Sequence, residues 1–447
     1  MTTPLRTDCE GFHRRDFLRF GVGGILGLTL PEMFRLEAQA DARAREAEPK
    51  RRRAQAVIQI WLAGGPATID MWDPKPSAPE GIRGEFKPIG TKIPAVQVCE
   101  HLPRMAALLD RVTVVRSLYH TIPSHGPATV FMTTGNKPTP ALDYPSLGSL
   151  VSRLYPAPPS VPPYVSFAQL RNGVAGNAGY LGPAYNPFIV ESGGGGKNGK
   201  PALRVRDVSL PSGFSLKDLE DRNKLLESLD HTFVSLDRST ALVDGLDMFH
   251  RQALEILRSD RTMKAFDLSL EAASTRDKYG QTPFGQGALA ARRLVEAGVR
   301  YVTLSIGGWD THVKNFEALS KRLLPQLDQT LSTLVQDLHD RGMIDDTIVY
   351  CAGEFGRTPK VNRNAGRDHW SRSMAVVLVG GGFKRGLTYG STDIQGMAPA
   401  TEACTPDDVS ATLFHRLGID PHQELMTPTG RPITLFREGK VLEKILV

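Results

Sequence analysis

Val57 to Ala63 (VIQIWLA) is a nearly unbroken apolar, β-rich run that stops at Gly64-Gly65-Pro66. A short run of that kind, closed by turn residues, predicts a strand buried on both faces of a parallel sheet. Val112 to Leu118 (VTVVRSL), Tyr301 to Ile306 (YVTLSI) and Thr347 to Ala352 (TIVYCA) have the same character. A further run, Met374 to Val379 (MAVVLV), ends at Gly380-Gly381-Gly382. Between these runs the apolar period lengthens. Phe284 to Ala297 is closed by Gly298, and Asn315 to Arg341 by Gly342, as helices are. In the second of these, Phe316, Leu319, Leu323, Leu327, Leu331, Leu334 and Leu338 recur at three- and four-residue spacing, which gives one face to a sheet. Pro325 is expected to kink or divide that helix.

Two further patterns complete the outline. Thr405-Pro406-Asp407-Asp408 sets a hydroxyl, a proline and acids in the order of a helix start, and the helix should end at Gly418. Prolines cluster from Pro156 to Pro163 and glycines from Gly193 to Gly196, so the stretch from Tyr155 to Lys200 is expected to be an irregular excursion. Residues from about 216 to 279 look mainly helical, as a cap or side subdomain. Alternating buried strands and helices of this length predict the fold class α/β, with a doubly wound, mostly parallel sheet flanked by helices.

Ahead of the first strand the pattern changes. His13-Arg14-Arg15-Asp16-Phe17-Leu18-Arg19-Phe20 leads into the apolar, glycine-rich run Gly21 to Leu30, and Ala38-Gln39-Ala40 follows. A basic front, a short apolar run and a small-residue site predict a cleaved twin-arginine export signal over residues 1–40. A charged linker, 41–53, closes on Lys50-Arg51-Arg52-Arg53, and the folded domain is expected over 54–447. The expected partner is then the twin-arginine translocation machinery, and the expected location is the periplasm or the cell exterior. That route carries folded chains, so a metal fitted before export becomes an expectation.

Composition narrows the chemistry. The formal charge of +6 is spread thinly, with no basic stripe interleaved with aromatics, which argues against nucleic acid as a partner. No later segment approaches the roughly twenty continuous apolar residues of a membrane helix, so no span is expected in the mature form. Beyond Cys9, the cysteines Cys99, Cys351 and Cys404 lie far apart and offer no zinc-thiolate spacing.

In an open α/β sheet, ligands bind beyond the carboxyl ends of the strands. Acids and histidines follow these strands consistently. Asp70 and Asp73 come soon after Gly64-Gly65-Pro66, and Asp310 and His312 follow Gly307-Gly308-Trp309. Glu354 and Arg357 follow Gly353, and Arg367-Asp368-His369-Trp370 precede the next strand. Each has an ordinary counterpart, as a turn acid, a salt bridge or a core histidine, but all share one predicted edge. After the second strand, Tyr119-His120-Thr121-Ile122-Pro123-Ser124-His125 leads to a short helix, Pro127 to Thr134. A hydroxyl at such a start benefits from the helix dipole, which makes Ser124 or Thr121 a nucleophile or a plain N-cap. His120 and His125 read as ligands, bases or phosphate contacts.

The stretches GGPATIDMWDPKP (Gly64 to Pro76), SHGPATVFMTTG (Ser124 to Gly135), GGWDTH (Gly307 to His312) and GEFGRTPKVNRNAGRDHW (Gly353 to Trp370) resemble the exported family of domain of unknown function 1501. That family's fold is like that of alkaline phosphatases and sulfatases, and the resemblance covers essentially the whole chain. It implies two divalent ions (zinc, manganese, calcium or magnesium) that bridge a phosphate or sulfate ester. It matches Asp310, His312 and His369 to one metal site, and Asp70 or Asp73 with Glu354 to the other. Ser124 falls at the nucleophile position, with His125 beside it. Arg357 would meet the ester's non-bridging oxygens, while Asp368 would orient His369 and His120 would support the site from behind. Glu354-Phe355 stands where the wider superfamily carries Asp-His, and there is no Cys-x-Pro-x-Arg sequence for a formylglycine nucleophile. The expected function is a metal-dependent hydrolase of small-molecule or polymer esters. The alternative is a catalytically silent, exported binding protein that keeps the fold.

Overall fold

The computed structural model describes residues 53–167, 176–193, 202–205 and 259–447. The expected export signal over 1–40, nearly all of the expected linker, and the part of the expected helical insertion from 216 to 258 lie outside the described residues.

A nine-stranded sheet organises the described chain. Its strands, in chain order, are β1 (Ala56–Ala63), β2 (Val112–Leu118), β3 (Tyr164–Ser166), β4 (Phe188–Gly193), β5 (Ala202–Val205), β6 (Tyr301–Gly307), β7 (Thr347–Ala352), β8 (Met374–Gly380) and β9 (Leu387–Tyr389). Across the sheet they run β9-β2-β8-β7-β1-β6-β3-β4-β5. Strand β1 is parallel to both β6 and β7, and β3 is parallel to β6 and β4. By contrast, β8 runs antiparallel between β7 and β2, and β5 runs antiparallel to β4. The mostly parallel, doubly wound sheet expected from the apolar runs is therefore present. The Pro-rich stretch differs from its expected irregular course, because Tyr164–Ser166 pairs with β6 and Phe188–Gly193 extends the sheet. Flanking Pro162-Pro163 and the shortness of β3 hide that strand signal.

Side-chain alternation builds a core on each face. Ile58, Ile60 and Leu62 of β1 face one core with Val302, Leu304, Val349 and Val377. Helices α5 (Pro283–Glu296) and α6 (Leu324–Asp340) close it with Leu289, Leu294, Leu327, Leu331 and Leu334. Val57 and Trp61 face the other core, with Tyr164, Tyr301, Ile348 and Leu378. There α1 (His125–Thr134), α2 (Leu147–Leu154) and α7 (Pro406–Leu417) contribute Met132, Leu150, Val151, Leu413 and Phe414. The start of α7 is a capping box between Thr405 and Asp408, and its end is Gly418 at φ 75°.

The long helical pattern from Asn315 is divided as Pro325 requires. A short α-segment, Asn315–Ala318, passes through a π-turn, Leu319–Leu323, before α6 begins with Pro325 in its first turn. Without an N–H, Pro325 cannot continue the bonding ladder of the preceding turn, and the register resets there. The described end of the helical insertion carries α3 (Asp260–Phe266) and α4 (Ala273–Tyr279), which lie on α5 and α6.

These outer helices are tied together by charge. The fully buried side chain of Arg292 pairs with Glu271 and Glu296 at 2.7 Å each and with Asp337 at 3.0 Å, and Tyr279 donates to Asp337 at 2.9 Å. Removing one member of a buried ion pair strands the other charges, at a cost of about 3–5 kcal/mol. Arg292→Met is expected to lower unfolding stability by about that amount. Urea denaturation of the variant and parent gives the comparison, and an unchanged midpoint would mean that the network contributes nothing.

Candidate metal centre

The carboxyl ends of β1, β2, β6 and β7 lie at one edge, and Met374 at the start of β8 sits opposite Leu118 at the end of β2. Because β8 returns antiparallel beside β7, the whole of 353–373 is held at this edge. Within it, Gly356–Arg357 and His369–Trp370 pair as a two-stranded antiparallel ribbon. His369 is thereby brought back over the strand ends, level with Arg357.

Arg357 joins the loops. Its Nε donates to Gly65 O at 2.9 Å, its Nη1 to Arg367 O at 3.0 Å, and its Nη2 to Gly64 O and to Asp310 Oδ1. The expectation that Arg357 meets substrate oxygens gives way to this arrangement, since the buried guanidinium already makes four donor contacts to protein. Burial would raise the Asp310 carboxyl, but the Arg357 hydrogen bond and charge hold it well below the usual carboxylate range. Asp310 itself is projected outward because the preceding Trp309 is fully buried and bonds through its N–H to Ala63 O.

Two ring nitrogens converge on Asp310 and make a triangle with its carboxylate oxygen. Its Oδ1 lies 3.1 Å from His312 Nε2 and 3.2 Å from His369 Nε2, and these two nitrogens are 3.0 Å apart. The far nitrogen of each ring is fixed. His312 Nδ1 is 2.7 Å from Asp368 Oδ1, and His369 Nδ1 is 2.9 Å from Pro123 O. Both partners only accept, so each Nδ1 carries the proton and each Nε2 turns a lone pair inward. Burial also lowers the His369 pKa, which keeps that ring neutral. One proton could bridge a single pair of these atoms, whereas a cation satisfies all three. Ligands about 2.0–2.1 Å from a tetrahedral ion stand roughly 3.3 Å from one another, close to the spacing here.

A second acid and imidazole adjoin this triangle. His125 Nδ1 donates to Glu354 Oε1 at 2.6 Å, and its Nε2 faces Asp310 Oδ2 at 3.3 Å. His125, Asp310 and His369 together offer ligand atoms within 4.8 Å of one another. Glu354 is buried; its Oε1 also accepts from Gly64 N at 2.9 Å, while its Oε2 has no hydrogen-bond partner among the described residues. An unpartnered carboxylate oxygen inside the protein is the kind of atom a cation repairs. Two imidazoles and a carboxylate are the ligand types of a three-residue catalytic metal site. The donors present thus fit a divalent ion.

The remaining expected residues have other surroundings. Asp70 does not join the triangle: Arg367 grips it with Nε to Oδ2 and Nη2 to Oδ1, both at 2.7 Å, and Asn315 Nδ2 donates to Oδ2 at 2.8 Å. Asp73 pairs with Lys75 at 3.1 Å and Arg116 at 3.5 Å, and it too stands outside. Asp368 orients His312 and not His369, because His369 already uses its Nδ1 on Pro123. His120 accepts from Ile122 N–H through Nδ1 at 3.1 Å, so its Nε2 carries the proton and donates to Glu354 O at 2.7 Å. Burial lowers the His120 pKa, and this neutral ring holds the Glu354 backbone from behind. Ser124 is exposed at the start of α1 and its hydroxyl makes no capping bond. It lies between Pro123, whose carbonyl fixes His369, and His125. Thr121 is exposed as well. The three described cysteines are buried free thiols, each pushed up by burial to about 12.

Arg367, Asn315 and Thr311 carry roles that residue type alone leaves open. Thr311 Oγ1 donates to Asn315 Oδ1 at 2.6 Å, extending the chain that fixes Asp70. The signal available was Arg367 beside Asp368 and His369, an arginine with no role among candidate ligands. Glycines let these loops meet: a Cβ on Gly64, at φ 122°, would strike the backbone of Trp309 and Asp310, and one on Gly366 would strike His312 O.

Fold and site together define an α/β protein with a doubly wound sheet and an acid–imidazole cluster at its strand ends. Residues 54–446 match the family described as "Protein of unknown function (DUF1501)", and the chain belongs to that family. No curated protein matches the sequence. Among solved structures, the chain is similar to Ps i-CgsB in complex with k-i-k-neocarrahexaose, at 12% identity and a TM-score of 0.39, covering 83% of this chain and 73% of that one. It is similar to the PsFucS1 sulfatase from Pseudoalteromonas sp. at 12% identity and a TM-score of 0.38, covering 88% and 72%. For the phosphonate monoester hydrolase SpPMH from Silicibacter pomeroyi the values are 12%, 0.33, 88% and 76%. At these scores none of the three bears on the residues of this site.

Gly64→Ala is expected to destabilise the fold by at least about 2 kcal/mol, through overpacking and a strained positive φ. Thermal unfolding of the variant checks this, and a parental midpoint would show that the two loops can part without cost.

Proposed function

We propose that the protein is an exported, metal-dependent hydrolase of phosphate or sulfate esters. The observation that carries this reading is the triangle of Asp310 Oδ1, His312 Nε2 and His369 Nε2, with edges of 3.0–3.2 Å and the outer ring nitrogens already engaged. Glu354, whose Oε2 has no hydrogen-bond partner among the described residues, is the donor that would face a second ion. Two imidazoles favour zinc over manganese, calcium or magnesium, which prefer oxygen. Bound divalent ions would supply Lewis-acid polarisation of the ester and neutralise charge in the transition state.

The chain's own groups then divide the work. Arg357 keeps Asp310 ionised and aimed, Asp368 and the Pro123 carbonyl keep the His312 and His369 rings turned inward, and Glu354 receives the His125 Nδ1 proton. Ser124, with an unbonded hydroxyl at the N-terminus of α1 and next to His125, is the nucleophile this reading favours, and His125 is its base. Export through the twin-arginine route, to the periplasm or beyond, belongs to the same reading. Its support is the Arg14-Arg15 leader and the start of the family match at residue 54, past the leader and linker.

One observation favours a second reading, that of a catalytically silent binding protein. Arg357 already neutralises Asp310, so the cluster has a counter-charge without an ion. Elemental analysis of protein purified from the cytoplasm separates the two. The hydrolase should retain zinc, His312→Ala and His369→Ala should lose it, and Asp368→Asn should bind it about 10–100-fold more weakly. Asp73→Asn should keep it. Metal-free parent protein, or full metal in both histidine variants, would sink the hydrolase reading. Chromogenic phosphate monoesters, phosphate diesters and sulfate esters, assayed with metals varied, would then identify the ester.

A further inference from the structure

With Arg357 spent on backbone carbonyls and Asp310, the site described above has a cluster of acids and no cation among them left to meet an anionic substrate. Such a cation lies on the neighbouring element. The π-turn Leu319–Leu323 carries Arg322, and its guanidinium lies against Gly308, whose ideal Cβ position is 3.1 Å from Nη1 and 3.2 Å from Cζ. Gly307 and Gly308 are exposed and lead directly into Trp309 and Asp310. Gly308 has φ 99°, so both its backbone and its missing side chain allow the guanidinium to settle there.

Two independent features mark Arg322. It has no acidic partner among the described residues, although nearby Glu317 takes Lys314 at 3.8 Å and Lys321 at 2.9 Å. It also sits in the π-turn ahead of Pro325, an arrangement found frequently at functional sites. A solvent-exposed guanidinium over bare backbone two residues before Asp310, with no carboxylate partner among the described residues, is suited to bind a tetrahedral oxyanion through paired N–H groups.

We infer that Arg322 is a specificity-determining residue that binds the sulfate or phosphate oxygens of the substrate on the Gly307-Gly308 side of the metal cluster. The inference rests on the hydrolase reading and adds to it the group that selects anionic esters over neutral ones. Arg322 has no ion-pair partner to strand among the described residues, so its replacement is expected to leave folding and metal content intact.

The test is calorimetric titration of the metal-loaded protein with inorganic phosphate and with inorganic sulfate. Arg322→Gln is expected to weaken oxyanion binding by about tenfold or more, with metal content and thermal midpoint unchanged, and Arg322→Lys to recover part of it. The preferred oxyanion distinguishes a phosphate ester from a sulfate ester as the source of the group. Parental oxyanion affinity in Arg322→Gln overturns the inference while leaving the hydrolase reading in place. Metal-loaded parent protein that binds neither oxyanion also overturns it. A parent that holds no metal overturns the hydrolase reading and this inference together.

Discussion

The guanidinium of Arg357 is the tie on which the site depends. It reaches the carbonyls of Gly64 and Gly65 after β1, Asp310 after β6 and the carbonyl of Arg367 within its own loop. Glu354, three residues earlier, completes the tie by accepting the Gly64 N–H. A buried arginine is costly unless its donors are filled, and filling them here requires three separate loops to close around one point. The geometry of Asp310, and through it of His312 and His369, follows from that requirement. A second buried arginine, Arg367, repeats the device with Asp70 and Asn315 on the outer side of the same loops.

The histidines are shaped by what they do not offer to the centre. Asp368 and the Pro123 carbonyl occupy the outer nitrogens of His312 and His369, and Ile122 and the Glu354 carbonyl occupy both nitrogens of His120. Two rings thus turn one nitrogen each toward Asp310, and the third has both nitrogens engaged elsewhere. This difference between ligand and support comes from the backbone around each ring and not from the imidazole itself.

The strands of the central sheet were legible because burial on both faces leaves near-continuous apolar runs, as in VIQIWLA and TIVYCA. Strand β3 was not, since it is short and prolines precede it. At the site, Asp310, His312, Glu354 and His369 could be read from their positions just beyond strand ends. Asp70 could not be separated from them, because its partner Arg367 is 297 residues away in sequence and only the folded loops bring the two together. The partner of Asp368 was misjudged for the same reason: adjacency to His369 in sequence says nothing of which ring its carboxylate reaches. Arg357 was recognisable as important, but its role depends on carbonyl groups that residue identity does not reveal.

The antiparallel course of β8 also sets an order of events. Its residues, 374–380, slot between β7 and β2, and the loop it anchors supplies His369 and Asp368. A chain emerging from the ribosome can pair β1 with β6, yet it lacks part of the cluster until residue 380 has entered the sheet. The acid–imidazole triangle is therefore a late product of folding, complete only when most of the domain has been made. Any ion it takes up reports a finished fold, and a chain halted before that point would carry the acids of the site without the means to hold a metal.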